Sequence, residues 1–259
     1  MLTSTDFLNR TLSFSQIPKR IVSLVPSQTE LLVTLDLEER IVGVTKFCVH
    51  PQNLRKDKSV VGGTKQVNYS KIKALKPDVI LCNKEENTLE MVRKLEDIAP
   101  VHVSEIKTIE DNINLIFEYG RLFDAEDSAM SLVARIQSEK QKFQKFLKPK
   151  KNLKVAYLIW RKPWMTVGRD TFIHHMLEVC NFDNAFQDHR RYPEVNIHQL
   201  PELDLLLLSS EPYPFKKQHM EEISLPKDKI VLVDGEFFSW YGSRVRLAFK
   251  YFQELRLRI

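Results

Sequence analysis

"LKPDVILCNKEE" (Leu75–Glu86) and "LPELDLLLLSSEP" (Leu200–Pro212) share one pattern. In each, a leucine and a nearby proline precede an aspartate, largely aliphatic residues follow, and a glutamate stands just beyond. An unbroken aliphatic run bounded in this way predicts a short strand buried on both faces. A second pair follows the first: "IAPVHVSE" (Ile98–Glu105) has its echo in "KDKIVLVDGE" (Lys227–Glu236). Both pairs are offset by about 126–130 residues. A constant offset favours two similar lobes over a chance likeness of generic units.

The segments around these runs alternate between the strand and helix periods. "RIVSLVPS" (Arg20–Ser27) predicts a strand, "QTELLVTLDL" a helix, "RIVGVT" and "KSVVGGT" strands, "VNYSKIKALKP" a helix and "LEMVRKLEDIA" another. From about Ile109 to Leu147 the spacing is helical throughout, with a soft break at Asp124-Ala125-Glu126-Asp127. The segment after the break would reach roughly 30 Å. Beyond it, "NLKVAYLIW" and "MTVG" predict strands, "TFIHHMLEVC" a helix capped by Thr171, and "SRVRLAFKYFQEL" the last helix. Strands alternating with helices define an α/β fold with mostly parallel sheets. The expected organisation is a first lobe over residues 1–108, a connecting helical segment over 109–150 and a second lobe over 151–259. Two such lobes joined by a long helix would enclose a cleft, lined by the segments that follow the strands.

Composition bounds the function. The chain has 259 residues, 43% hydrophobic and 28% charged, with a formal net charge of +5. Much of the excess lies in Lys142, Lys145, Lys148, Lys150, Lys151 and Lys154. No stacking aromatics or RNA-binding motif accompany them, so a solvated helix end is favoured and no nucleic-acid partner is expected. Cys48, Cys82 and Cys180 lack C-x-x-C spacing and are expected to be free, buried thiols. "MLTSTDFLNRTLSF" shows no signal-peptide pattern, which leaves a cytoplasmic location open. No apolar run approaches 18 residues, so no transmembrane segment is expected. A monomer is expected.

The familiar catalytic signatures are missing. There is no G-x-G-x-x-G after a strand, no P-loop, no G-x-S-x-G and no H-E-x-x-H. Cys48 and His50, or His174 and His175, have poor geometry for zinc, so no metal site and no required cofactor are expected. Glu85, Glu86, Glu211 and Glu236 stand just after predicted strands and could form an acid–base pair. Ring surface is more abundant there: Trp160, Trp164, Trp240, Phe47, Tyr192, Tyr213, Phe237, Phe238 and Tyr241. Lys65, Lys84, Arg161, Arg190, Arg191 and Arg244 lie beside them. Rings with a few cations suit a large, flat, partly anionic ligand. Pro26, Ser27 and Gln28, after the first strand, complete this candidate surface. In "GEFFSWYGSR" (Gly235–Arg244), Gly242 and Ser243 predict the turn and cap into the last helix.

"RIVSLVPSQTELLVTLDLEERIVGVTKFCVHP", "KIKALKPDVIL", "GRDTFIHHMLEVCNFDNAF" and "GEFFSWYGSRVRLAFKYF" resemble the substrate-binding proteins of cobalamin and iron-siderophore ABC importers. The resemblance is strongest to the cobalamin-binding branch and runs from about Arg20 to the end. It implies two α/β lobes linked by one long helix, with a cobalt corrinoid or ferric chelate held between them. It further implies a periplasmic or cell-envelope location, presentation of the ligand to a membrane permease, and no covalent chemistry. Phe47 and Tyr192 match ligand-facing aromatic positions of that branch, and Glu236 with Phe237 matches an acid–aromatic pair near the ligand. Met165 falls where an aromatic is usual, and Thr64 where the cobalamin binders carry a tryptophan. Trp240 and Tyr241 have no counterpart and could compensate for that tryptophan. The two docking carboxylates of the family fall at Ser70 and His198, neither acidic; Glu194 could substitute in the second lobe. The alternatives are a cytosolic, permease-independent binding protein, or a small α/β enzyme using the carboxylates that follow its strands.

Overall fold

The computed structural model describes residues 2–259. The chain forms two units. The first takes the residues up to Ile106, Glu110–Ile136 and Tyr241–Arg244; the second takes Lys107–Ile109, Gln137–Trp240 and Val245–Ile259.

The first unit opens with a hairpin, β1 (Leu2–Thr5) and β2 (Thr11–Phe14), which lies before the first expected strand. Its loop is organised by Asp6, whose carboxylate accepts from the backbone N–H groups of Leu8 and Arg10 and from the Arg10 side chain. The same carboxylate accepts from Val103 N–H, which ties the hairpin to the main sheet. That sheet contains β3 (Ile21–Ser23), β4 (Ile41–Val44), β5 (Ser59–Val60), β6 (Val79–Asn83) and β7 (Val101–Ser104). Its order is β5-β4-β3-β6-β7 and every pairing is parallel. Helices α1 (Pro26–Thr34), α2 (Leu54–Asp57), α3 (Tyr69–Ala74) and α4 (Leu89–Glu96) alternate with these strands. Asn68 and Thr88 cap α3 and α4 through their side chains, as short helices with unpaired first-turn N–H groups require. One face of the sheet buries Val22, Leu24, Ile80, Cys82, Val101 and Val103 against Ile72, Met91 and Leu95.

The long helical stretch is two helices, α5 (Ile109–Phe123) and α6 (Glu126–Leu147). The break lies within the soft spot read from the sequence: Asp124 adopts φ 55°, and Ala125 N–H turns back to Gly120 C=O. Gly120 permits the close approach of the two helices there, because a Cβ would lie 2.8 Å from that of Ala129. The division between the two units falls inside α6, after Ile136.

The second unit holds β8 (Leu153–Trp160), β9 (Met165–Thr166), α7 (Phe172–Val179), β10 (Phe182–Asn184), β11 (Leu205–Ser209), β12 (Ile230–Val233), α8 (Glu236–Ser239) and α9 (Val245–Arg258). The parallel order is β10-β8-β11-β12, with β9 antiparallel on β8. Strand β10 is not evident in the sequence, because FDN has a single apolar residue followed by two polar ones.

The internal repeat is a repeat of chemistry as well as of pattern. Strand β6 lies between β3 and β7, and β11 lies between β8 and β12. Asp78, just before β6, accepts from the N–H groups of Lys19 and Arg20 at 2.8 and 2.9 Å. Asp204, just before β11, accepts from Lys154 N–H at 2.7 Å. After the strands, Asn83 accepts from Glu85 N–H and Ser209 from Glu211 N–H, so the same polar turn closes both. The three cysteines are buried and free.

Candidate functional site

In open α/β sheets, ligands bind beyond the carboxyl ends of the strands. In the first unit this edge is partly open and partly sealed. Phe47, after β4, leaves 47% of its surface exposed, and Lys46 Nζ sits 5.0 Å from its ring centre. Thr64 is half-buried and fixed through its carbonyl, which accepts from Asn87 Nδ2 at 2.8 Å. Exposed Lys65 donates to Glu85 C=O at 2.6 Å.

Pro26, Ser27 and Gln28 do not face outward: all three are buried in the first turn of α1. Gln28 Nε2 donates to Ser104 Oγ at 2.6 Å and to Tyr241 Oη at 2.9 Å, and Gln28 Oε1 accepts from Tyr119 Oη at 2.8 Å. Burial raises the phenols of Tyr119 and Tyr241 above their ordinary range. This closed network corrects the expectation for Gln28 and Tyr241, which are internal struts. The signal for it was weak, since a buried Gln and Tyr look like any polar loop residues until their partners are known.

Arg244 was expected among cations beside the rings. It is buried and grips Glu30 through Nε and NH2, both at 2.9 Å. Gly242–Arg244 forms a short 3₁₀ turn before α9, as the Gly-Ser pair suggested, but Ser243 Oγ has no hydrogen-bond partner and caps nothing.

In the second unit the same edge carries a shelf of rings. Trp160, the last residue of β8, is 40% exposed and meets Tyr213 edge-on at 5.8 Å. Tyr213 meets Phe215 at 4.8 Å, and Phe215 stacks on Trp164 at 5.8 Å with 12° between planes. His219 packs on both Tyr213 and Phe215. The loop is pinned to β8 by Tyr213 N–H donating to Ile159 C=O. Met165 lies beside Trp160 in the β8–β9 register and bridges to Glu194. Half-buried Tyr192 has the Arg191 guanidinium 5.7 Å from its ring centre. Phe215 and His219 were not singled out from sequence, although "EPYPFKKQHM" (Glu211–Met220) is visibly rich in rings.

The remaining ring candidates pack internally. Phe237 stacks on Tyr251 of α9 at 4.5 Å and 18°. Phe238 is fully buried against Tyr157 and Phe252. Trp240 is only 9% exposed, and its indole N–H donates to Glu211 at 2.9 Å. Trp240 is therefore a core ring, which corrects the expectation that it is open to ligand.

The carboxylates of this unit do not make an acid–base couple of obvious use. Burial, with the charges of Glu236 and Asp234 nearby, raises Glu211 above the usual carboxylate range, while the Trp240 bond opposes the rise. Glu236 sits at the start of α8, where its N–H donates to Asp234. Among the described residues, no cluster of three His, Cys, Asp or Glu side chains is placed to hold a metal. Ser70 and His198 are both exposed, as is Glu194. Among the described residues, no helix is long and apolar enough to cross a membrane.

The chain is 30% identical over 195 residues to the uncharacterized ABC transporter substrate-binding lipoprotein YvrC of Bacillus subtilis, across 72% of this chain and 62% of that protein's length. It is 23% identical over 244 residues to the vitamin B12-binding protein of Pectobacterium atrosepticum, across 90% of this chain and 86% of the relative. Among solved structures, a possible iron-binding (periplasmic solute-binding) protein of Staphylococcus epidermidis superposes with a TM-score of 0.77 at 27% identity, covering 92% of this chain and 98% of the other. The family model for periplasmic binding proteins matches residues 21–206, from the first strand of the parallel sheet into β11. With the sheet orders and the repeated aspartate turns described above, the match shows that this chain belongs to the periplasmic binding protein family.

Proposed function

We propose that the chain is the substrate-binding component of an ABC importer and that its cargo is a metal chelate with a broad ring face: a cobalt corrinoid or a ferric chelate. The observation that carries this reading is the ring shelf of the second unit, with Trp160 open to solvent at the carboxyl end of β8 and Tyr213 beside it. An exposed tryptophan backed by stacked rings is a ready surface for a flat ligand. Phe47 offers a second open ring at the corresponding edge of the first unit. The names of two similar proteins, a vitamin B12-binding protein and a possible iron-binding protein, support the same class of cargo. A permease partner and a location outside the cytoplasm follow from this role. Because Ser70 and His198 carry no carboxylate, the permease contact would use other residues, with Glu194 the candidate in the second unit.

Tryptophan fluorescence and thermal shift with cyanocobalamin, cobinamide, hemin and ferrichrome test the proposal. At least one should quench fluorescence and raise Tm, since a ligand that binds the native state alone stabilises it. Trp160→Ala should weaken that binding by about 0.5–1.5 kcal/mol, two- to tenfold. No response to any of the four overturns the reading.

A further inference from the structure

Tyr213 is held in a way that ring packing does not require. The Lys216 backbone N–H donates to His219 Nδ1 at 2.9 Å, so that nitrogen carries no proton and Nε2 carries one. His219 Nε2 lies 3.4 Å from Tyr213 Oη and acts there as the donor. The Arg161 guanidinium, which only donates, lies near Tyr213. His219 therefore occupies a lone pair of the phenol oxygen, with the Arg161 cation close by. Its own hydrogen has no acceptor among the described residues. The phenol stands at the carboxyl end of β8, beside exposed Trp160. Arg161 is itself paired with Glu222 at 2.8 Å, so its charge is largely matched. What the arrangement offers a ligand is a directed O–H, polarised by the His219 donor behind it.

We infer that Tyr213 is a recognition point for an anionic oxygen, a carboxylate or phosphate on the rim of the ring-faced cargo, with Arg161 and His219 as positioning residues. This rests on the cargo reading above and adds to it that the cargo carries a peripheral oxyanion. The O–H sets the edge of the ligand while Trp160 takes its face. A hydrogen bond to a charged acceptor is worth about ten- to a hundredfold in affinity.

Hemin, with two free carboxylates, and its dimethyl ester provide the test. The wild-type chain should bind hemin at least about tenfold more tightly than the ester. Tyr213→Phe, which keeps the ring, should bring hemin down to the ester's affinity and leave the ester unchanged. Arg161→Gln should move hemin the same way by a smaller factor, and tryptophan emission with Tm reports on folding of both variants. Equal affinity of wild type for hemin and ester overturns the inference, as does a preference that survives in Tyr213→Phe. If cyanocobalamin or ferrichrome binds and hemin does not, the inference falls and the cargo reading stands; if none binds, both fall.

Discussion

Gln28 donates a hydrogen bond to Tyr241 at 2.9 Å across 213 positions of sequence. The contact fastens the segment Tyr241–Arg244 into the first unit, although the chain on either side of it belongs to the second. Around it, Gln28 also binds Tyr119 and Ser104, all of them buried. Buried polar groups are costly when one partner is removed, since the other loses water and gains nothing. Gln28→Leu, close in volume but without an amide, should lower stability by about 2–4 kcal/mol, the sum of two or more orphaned groups. Tyr241→Phe should cost about 1 kcal/mol, because Ser104 remains a partner for the Gln28 amide. Urea unfolding of the two variants would check the order; equal losses would contradict it.

Gly242 continues the same anchor. Its φ is +83°, and a Cβ there would sit 2.9 Å from Ser27 C=O. Gly242→Ala meets both strain and a backbone clash, and should destabilise by about 1–3 kcal/mol. Its N–H donates to Asn112 Oδ1, so Asn112→Ala should act on the same element and add less than its separate cost in the double variant. Thermal unfolding of single and double variants measures that coupling.

His102 makes stability depend on acid. It lies fully buried in β7 among Phe7 and Tyr119, with neither ring nitrogen hydrogen-bonded. Burial lowers its pKa from 6.5 to about 4, against the opposing pull of Asp6 and Glu118. A base with a depressed folded value must be neutral to stay inside. Its stability is complete above pH 6.5 and is lost as pH falls through that value toward 4. The loss between pH 7 and pH 4 should be about 3 kcal/mol. His102→Phe should remove that slope; an unchanged acid slope would show that other groups carry it.

Glu211 predicts the opposite slope. Its folded pKa is raised by burial, so the folded state favours the protonated carboxyl at low pH. Relative to the unfolded chain, stability is full below about pH 4.5 and declines as pH rises through the folded value. Glu211→Gln can still accept from the Trp240 indole and carries no charge to bury. The variant should unfold at a higher Tm than wild type at pH 8, with the gap closing at pH 4. Trp240→Phe removes the donor to that carboxylate and should cost about 1.5–3 kcal/mol at pH 8.

The sequence by itself determined the layers. Aliphatic runs of strand length, a helix capped by Thr171, and the shared offset that relates Asp78 to Asp204 define parallel sheets in two similar units, because hydrophobic period and capping act within a few residues. The break at Asp124 was visible for the same reason. Strands β1, β2 and β10 were not, since LTST, TLSF and FDN lack the aliphatic runs that mark β3 and β5, which are no longer than these. The ring shelf was half legible: Trp160 and Tyr213 announced themselves by position, whereas the roles of Phe215 and His219 depend on how one loop folds back on β8. Only the tertiary structure decided which polar and aromatic residues face water. Gln28, Trp240, Tyr241 and Arg244 occupy positions as suggestive as that of Trp160, yet each is closed off by a partner distant in sequence. An aliphatic run announces its own burial, but burial of a polar or aromatic side chain depends on the partners the fold brings to it.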